Sequence, residues 1–178
     1  MQRGFKVISK AVDSGIELPK RATENAAGYD FASSVDMVLP SIWKIGFLKA
    51  LKIIQTNRHL DEVESETAQK VLKPYLIPTG IKAYMQPNEV LIIANRSSNP
   101  LKRGMIIPNG IGVIDADYYD NENNEGEIFV QMVNFGIKDR KIKKGERIGQ
   151  GIFMPYLLAD DETAPKAKRT GGFGSSGK

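Results

Sequence analysis

Short runs of β-forming residues recur along this chain at close intervals, with turn-forming residues between them, and this spacing limits the fold more than any other feature. The runs are Phe5 to Ile8, Val35 to Leu39, Tyr75 to Ile77, Gly80 to Met85, Val90 to Ala94, Met105 to Ile107, Ile128 to Asn134 and Ile148 to Met154. Between them stand Pro87-Asn88, Asn99-Pro100, Pro108-Asn109-Gly110 and Lys144-Gly145. Strands this brief, joined by such turns, predict an all-β core, either an antiparallel sandwich or a barrel. With 178 residues, 41% of them hydrophobic, the chain is long enough to bury one such core, so one β domain over residues 1–158 is expected.

One stretch breaks the pattern. Between Ser41 and Leu72 the apolar period becomes helical, with Ile45, Phe47, Leu48, Leu51 and Ile54 on one broad face. A second helix reads from about Leu60 to Leu72, where Val63, Thr67 and Val71 form a stripe and Glu66 supports Lys70. The expectation is a helical hairpin inserted into the β domain over about 41–72. It is either an arm whose Trp43 and Phe47 pack on the barrel or on a neighbouring subunit, or a lid or docking site for a protein partner.

From Ala159 the composition shifts again, through Asp160, Asp161 and Glu162 to a basic, glycine-dense end. Residues 159–178 lack the apolar content to bury a core, which predicts a flexible tail unless a ligand captures it.

The absence of cysteine and the single His59 exclude disulfide frameworks, thiolate nucleophiles, sulfur-bound zinc and histidine clusters. Chemistry therefore rests on carboxylates, hydroxyls, amides and cations, which favours hydrolysis with an oxygen-bound cation such as magnesium. The net charge of +4 is spread through Lys20, Lys44, Lys102, Lys141, Lys143, Lys144 and the Lys166 to Arg169 run. It reads either as a solvated basic surface or as attraction for a polyanion, for which nucleotides would suffice. No apolar stretch approaches the ~18 residues of a membrane span, and Met1 to Lys10 lacks the pattern of a secretion signal, so a cytoplasmic protein is expected.

Several segments carry candidate chemistry. Asn95-Arg96-Ser97-Ser98, followed by Lys102 and Arg103, gathers hydroxyls and cations after a strand, suited to phosphate oxygens or equally to an ordinary surface loop. In Pro108 to Tyr119, glycines admit a ligand to the backbone, and Asp115 follows Val113-Ile114 at an expected strand end. There it is either a partly desolvated general base or a structural turn aspartate. Gly145 to Gln150 opens a strand after a basic turn, and Phe173 is the one aromatic of the glycine-rich tail.

Taken in order, Ala26-Ala27-Gly28-Tyr29-Asp30, Arg96-Ser97-Ser98, Gly112-Val113-Ile114-Asp115-Ala116-Asp117-Tyr118, Gly145 to Gln150 and Gly171-Gly172-Phe173-Gly174-Ser175-Ser176-Gly177 closely resemble the five motifs of trimeric dUTPases of the Gram-positive bacterial or phage type. The likeness runs from about Leu18 to Gly177, interrupted by the helical insertion. It implies a jelly-roll-like β-barrel, a homotrimer with sites shared between subunits, and a C-terminal tail that closes each site. It also implies hydrolysis of dUTP to dUMP and pyrophosphate, which removes dUTP and supplies dUMP for thymidylate synthesis.

By the same resemblance, Asp115 activates the water that attacks the α-phosphorus, a step in which a positioned base supplies about a hundred- to ten-thousand-fold of rate. Mg2+ is held mainly by the substrate triphosphate and waters, with Asp30 reaching its water shell, and no metal ligand is assigned to the protein. Asn109, Gly112 and Val113 read uracil, Tyr118 packs under the deoxyribose and excludes a 2′-hydroxyl, and Arg96, Ser97, Ser98 and Gln150 contact phosphates. In the tail, Phe173 covers uracil, Ser175 joins the substrate contacts, and Arg169 or Lys168 meets the γ-phosphate. Neither a membrane nor a nucleic acid is expected as partner.

The chain departs from the family pattern in three places. Many relatives have Arg-Ser-Gly where this chain has Arg96-Ser97-Ser98. The hairpin tip Tyr119 to Glu125 is longer than usual, and Lys168-Arg169-Thr170-Gly171-Gly172 is one residue tighter than the commonest tail. A dCTP deaminase shares the Arg-Ser-Ser loop and the Ile-Asp pair, but Tyr118 and the Gly-Phe-Gly-Ser tail resemble the pyrophosphatase branch. A binding protein that docks a regulator on the arm is the rival outside catalysis.

Overall fold

The computed structural model describes residues 2–44, 47–55 and 73–161. The strands are β1 (Gly4–Val7), β2 (Lys20–Arg21), β3 (Tyr29–Ala32), β4 (Met37–Leu39), β5 (Tyr75–Pro78), β6 (Ile81–Tyr84), β7 (Glu89–Ala94), β8 (Met105–Ile106), β9 (Ile111–Asp115), β10 (Phe129–Asn134), β11 (Arg140–Ile142) and β12 (Arg147–Pro155). They form a five-stranded sheet in the order β2-β3-β12-β7-β9, a three-stranded sheet β5-β10-β8, and the pairs β1-β6 and β4-β11, every pairing antiparallel. This is the jelly-roll class of β-barrel, reached because each strand is too short to cover its own apolar face and closure against the others removes that exposure.

Alternation along the strands fills the interior. In β10 the side chains of Val130, Met132 and Asn134 are buried while Phe129, Gln131 and Val133 are half-buried. Phe31, Leu39, Ile77, Leu91, Met105, Ile128 and Ile148 meet in one core, each removed from water at about 1.5–3 kcal/mol. Phe5 extends it into an edge-to-face cluster with Phe31 and Tyr29, ring centroids 5.4 and 5.3 Å away. Among the described residues no helix is long and apolar enough to cross a membrane.

Several boundaries differ from the sequence reading. The apolar run Val35 to Leu39 forms a strand only from Met37, and β2, β3 and β11 arise from Lys20-Arg21, Tyr29 to Ala32 and Arg140 to Ile142, where the apolar pattern predicts none. The expected insertion begins later than Ser41. Ser41 is fully buried, forms a bridge to Asn134, and donates its backbone N–H to Asp139 Oδ1 at 3.0 Å, so it belongs to the barrel wall. The helix α1 spans Phe47–Gln55.

Trp43 donates its indole N–H to the Phe135 carbonyl at 2.9 Å, anchoring the root of the arm to the barrel. Leu48 and Ile54, expected on the packed face of α1, are 74% and 71% exposed, so the barrel of the same chain does not cover them. The second helix, about Leu60 to Leu72, lies outside the described residues, as does the tail beyond Asp161.

Candidate functional site

The five-stranded sheet sets one group of polar residues in a single row. In the register of β12, Gln150 stands between Asp30 of β3 and Ala94 of β7, so residues distant in sequence become lateral neighbours. Just past β7, Arg96 Nε donates to Asp30 Oδ1 at 2.9 Å, and Arg147 Nη1 donates to the other carboxylate oxygen at 2.9 Å. The Gln150 amide donates to the Asn95 carbonyl at 3.0 Å, and a Cβ at Gly28 would approach Gln150 Oε1 to 2.7 Å, so the bare glycine leaves that amide its place.

The loop itself is pinned from below. Asn99 is fully buried and donates to Asn95 Oδ1 and to the Ile148 carbonyl, both at 2.7 Å, which fixes the turn that carries Ser97 and Ser98. Ser97 is exposed and Ser98 half-buried. Ser98 sits at φ −74° and ψ −19°, ordinary right-handed backbone, so the serine found where many relatives have glycine brings no strain. Gly104, at φ 64°, closes the loop, and its carbonyl accepts from Phe135 N at 2.8 Å.

A separate cavity of about 200 Å³ opens beside β9. Asn109, Gly112, Val113 and Tyr118 line it, together with Ile93, Ile107 and Phe129 among others. Gly110 turns the chain into β9 at φ 73°, its N–H bonded to the Ile107 carbonyl at 3.1 Å, while Ile111 N–H meets the Asn109 carbonyl at 2.8 Å. The Tyr118 ring is almost wholly buried and its hydroxyl donates to the Glu127 carbonyl at 2.9 Å.

Asp115 ends β9, half-buried, directly after the cavity-lining Ile114. It pairs with Val90, whereas Ile111 pairs with Ala94. At about 3.4 Å per residue, the four steps from Val90 to Ala94 separate Asp115 by about 14 Å from the strand end that leads to Arg96.

The candidate residues therefore fall into distinct places. Asp30, Arg96 and Gln150 share a row with the Ser97-Ser98 loop above it, Asn109, Gly112, Val113 and Tyr118 share the cavity, and Asp115 flanks that cavity. Arg169, Phe173 and Ser175 lie outside the described residues. Residues the sequence reading did not single out complete both places: Arg147 and Asn99 at the loop, and Asn124, whose amide donates to the Tyr118 hydroxyl at 2.8 Å. Arg147 lies within the Gly145 to Gln150 motif, so a signal existed; nothing local distinguishes Asn99 or Asn124 from other turn asparagines.

The model of the dUTPase family matches residues 59–177. A deoxyuridine 5'-triphosphate nucleotidohydrolase of Lactococcus lactis subsp. lactis is 45% identical, the match covering 98% of this chain and 97% of that protein. The crystal structure of a dUTPase from Streptococcus mutans superposes with a TM-score of 0.68 at 39% identity, covering 88% of this chain and 98% of that one. The dUTPase of phage phi11 of S. aureus shares the fold, with a TM-score of 0.63 at 15% identity over 94% of this chain and 99% of the other.

Proposed function

The chain belongs to the dUTPase family, and we propose that in hydrolysing dUTP to dUMP it uses Asp115 of one subunit to activate water against a triphosphate held by the Arg96 loop of another. The observation that carries this reading is the register of β7 and β9. It separates Asp115 from the Arg96 end of the strand by about 14 Å, farther apart than the groups that together touch a single α-phosphorus. A site assembled from copies of the chain, in a threefold-symmetric trimer, joins what a single copy keeps apart.

In the assembled site, Asn109 and the backbone of Gly112 and Val113 face the uracil edge, and Tyr118 lies under the sugar. Cytosine offers the reversed donor pattern at that edge and would leave buried groups unpaired. Arg96, Ser97, Ser98 and Gln150 hold phosphate oxygens through charge-assisted and neutral hydrogen bonds. Asp115 accepts a proton from water as its oxygen closes on the α-phosphorus, and pyrophosphate leaves. Arg169, Phe173 and Ser175 of the tail close the site over phosphate and base.

The residues present suit a magnesium ion carried by the triphosphate. Both oxygens of Asp30 accept from arginines, which supports a role at the ion's water shell rather than as a direct ligand. Bound magnesium would offset the charge gathering on the leaving pyrophosphate. The setting is the cytoplasmic nucleotide pool, where the product dUMP feeds thymidylate synthesis.

The test uses two variants that each spoil a different part. Asp115→Asn and Arg96→Ala should each lose at least about a hundredfold in dUTP turnover, the range expected for removal of a base or a phosphate-binding cation. Unfolded together and refolded, they should regain measurable activity, because some mixed trimers hold one intact Asp115 beside one intact Arg96 loop. Mixed oligomers that form without regaining turnover would sink the shared site. Assaying pyrophosphate and ammonia from dUTP, dCTP, dTTP and UTP separates this chemistry from deamination.

A further inference from the structure

The hairpin tip after Tyr118 is tied down more thoroughly than a solvent loop requires. Asn124 donates one amide hydrogen bond to the Tyr118 hydroxyl at 2.8 Å, while its Oδ1 accepts from Asn121 Nδ2 at 2.8 Å and from Gly126 N at 3.1 Å. Asn121 in turn donates to the Tyr118 carbonyl at 2.8 Å. Both ends of the tip converge on one buried cation: Lys82 of β6 pairs with Asp120 and, at 3.2 Å, with Glu125. The Lys82 ammonium also lies 5.2 Å from the Tyr119 ring centroid, and Glu125 accepts from Ser9 N at 3.0 Å and Ser9 Oγ at 2.8 Å.

These ties hold a backbone that would not hold itself. Asp120 and Glu125 stand at φ 54° and 58°, left-handed conformations that cost a residue with a Cβ of order 1 kcal/mol or more unless the surroundings impose them. Charged groups facing the tip are Lys82 from β6, Lys6 from β1 at 5.8 Å from the Tyr119 ring, and Lys10, which reaches Glu127 at 2.7 Å. Burial alone would push the Lys82 ammonium down, yet Asp120 and Glu125 outweigh it and its pKa stands above the ordinary lysine value. The cation is therefore permanent.

We propose that Asn124 and Lys82 are positioning residues that lock the Tyr118 ring and thereby set the preference for a deoxyribonucleotide over a ribonucleotide. This rests on the reading of the cavity as a deoxyuridine pocket. With its hydroxyl donating to Glu127 and accepting from Asn124, Tyr118 offers an incoming sugar only a fixed carbon surface. A 2′-hydroxyl buried against that surface finds neither room nor a partner, and an unpaired buried hydroxyl is costly. Releasing the ring relaxes both obstacles for the ribose substrate and changes little for the deoxyribose one.

Asn124→Asp keeps the acceptor used by Asn121 and Gly126 but loses the donor to Tyr118, and Lys82→Met removes the clamp. In each, the ratio of kcat/KM for dUTP over UTP should fall about tenfold, mostly through a lower KM for UTP, while Lys82→Arg keeps the parent ratio. A purely structural role would lower the melting temperature and slow both substrates alike with the ratio unmoved, which overturns the proposal. Should Asn124→Asp not fold, Lys82→Met against Lys82→Arg reads the same ratio. A parent unable to turn over dUTP would overturn the deoxyuridine reading itself, whereas an active parent with unchanged ratios in the variants overturns only this inference.

Discussion

Glu125 shows how a single carboxylate can report on a loop. Hydrogen bonds from Ser9 backbone and hydroxyl, assisted by Lys82, hold its pKa down to about 2 from the ordinary 4.5. A depressed acid contributes stability above its unfolded pKa and loses it as pH falls toward the folded value. The parent should therefore melt above Glu125→Gln by a margin that is full above about pH 5.5 and shrinks to nothing as pH falls from the ordinary 4.5 toward about 2. Melting curves of both proteins between pH 7 and pH 2.5 check this, and a margin independent of pH would show that Ser9 and Lys82 do not hold the charged form. Asp36 and Asp139 are depressed too, by Lys143 with Lys144 and by Ser41 with Lys44, but they are common to both proteins and cancel from the difference.

Among the elements, the tight turn that returns the hairpin to β10 depends on Gly126. It stands at φ 79°, and a Cβ there would meet the Tyr118 carbonyl oxygen at 2.5 Å, a backbone atom that has no rotamer to escape into. Gly126→Ala should thus destabilise the protein by about 1–3 kcal/mol, measured by denaturant unfolding, and Gly110→Ala, with open space around its Cβ, should cost less. Most strands were legible as apolar runs bounded by turns: β1, β5, β6, β7, β8, β10 and β12 lie within a residue or two of their expected bounds. The exceptions have a shared cause. Lys20-Arg21 and Arg140-Lys141-Ile142 carry little β pattern, and their pairing is imposed by the strands beside them, β3 across a short connection and β4 from far away in sequence. In β3 the polar Asp30 breaks the apolar run, and its pairing with Arg96, 66 residues on, is a contact that no local pattern reveals. Lys82 was similarly hidden: a charge inside Ile81 to Tyr84 reads as a solvent-facing position, and only the folded tip turns it inward. The motif residues were legible one by one, while the row and the cavity that gather them depend on register, which local pattern does not encode.

For the molecule as a whole, the surface of one copy is incomplete. Leu157, Ile137 and Leu101 are 96%, 82% and 81% exposed, and Leu158 and Val113 are also open to water. Scattered apolar residues are ordinary on a surface, but these lie after β12, beside the Phe135 turn, on the loop that follows Arg96 and on the cavity rim. Covering them with further copies of the chain links burial to catalysis, since the same contacts would bring one copy's Asp115 to another's Arg96. If assembly and site formation are one event, activity must follow mass action. Specific activity toward dUTP should stay constant at high protein concentration and fall on dilution along with the trimer fraction measured by light scattering. It should also fall in Leu157→Asp if that residue is covered, with the loss reversed by raising the concentration. Specific activity that stays constant while the oligomer dissociates to single chains would mean that one copy holds a whole site, and the gap of about 14 Å between Asp115 and the Arg96 end of β7 would then have to be bridged within the chain.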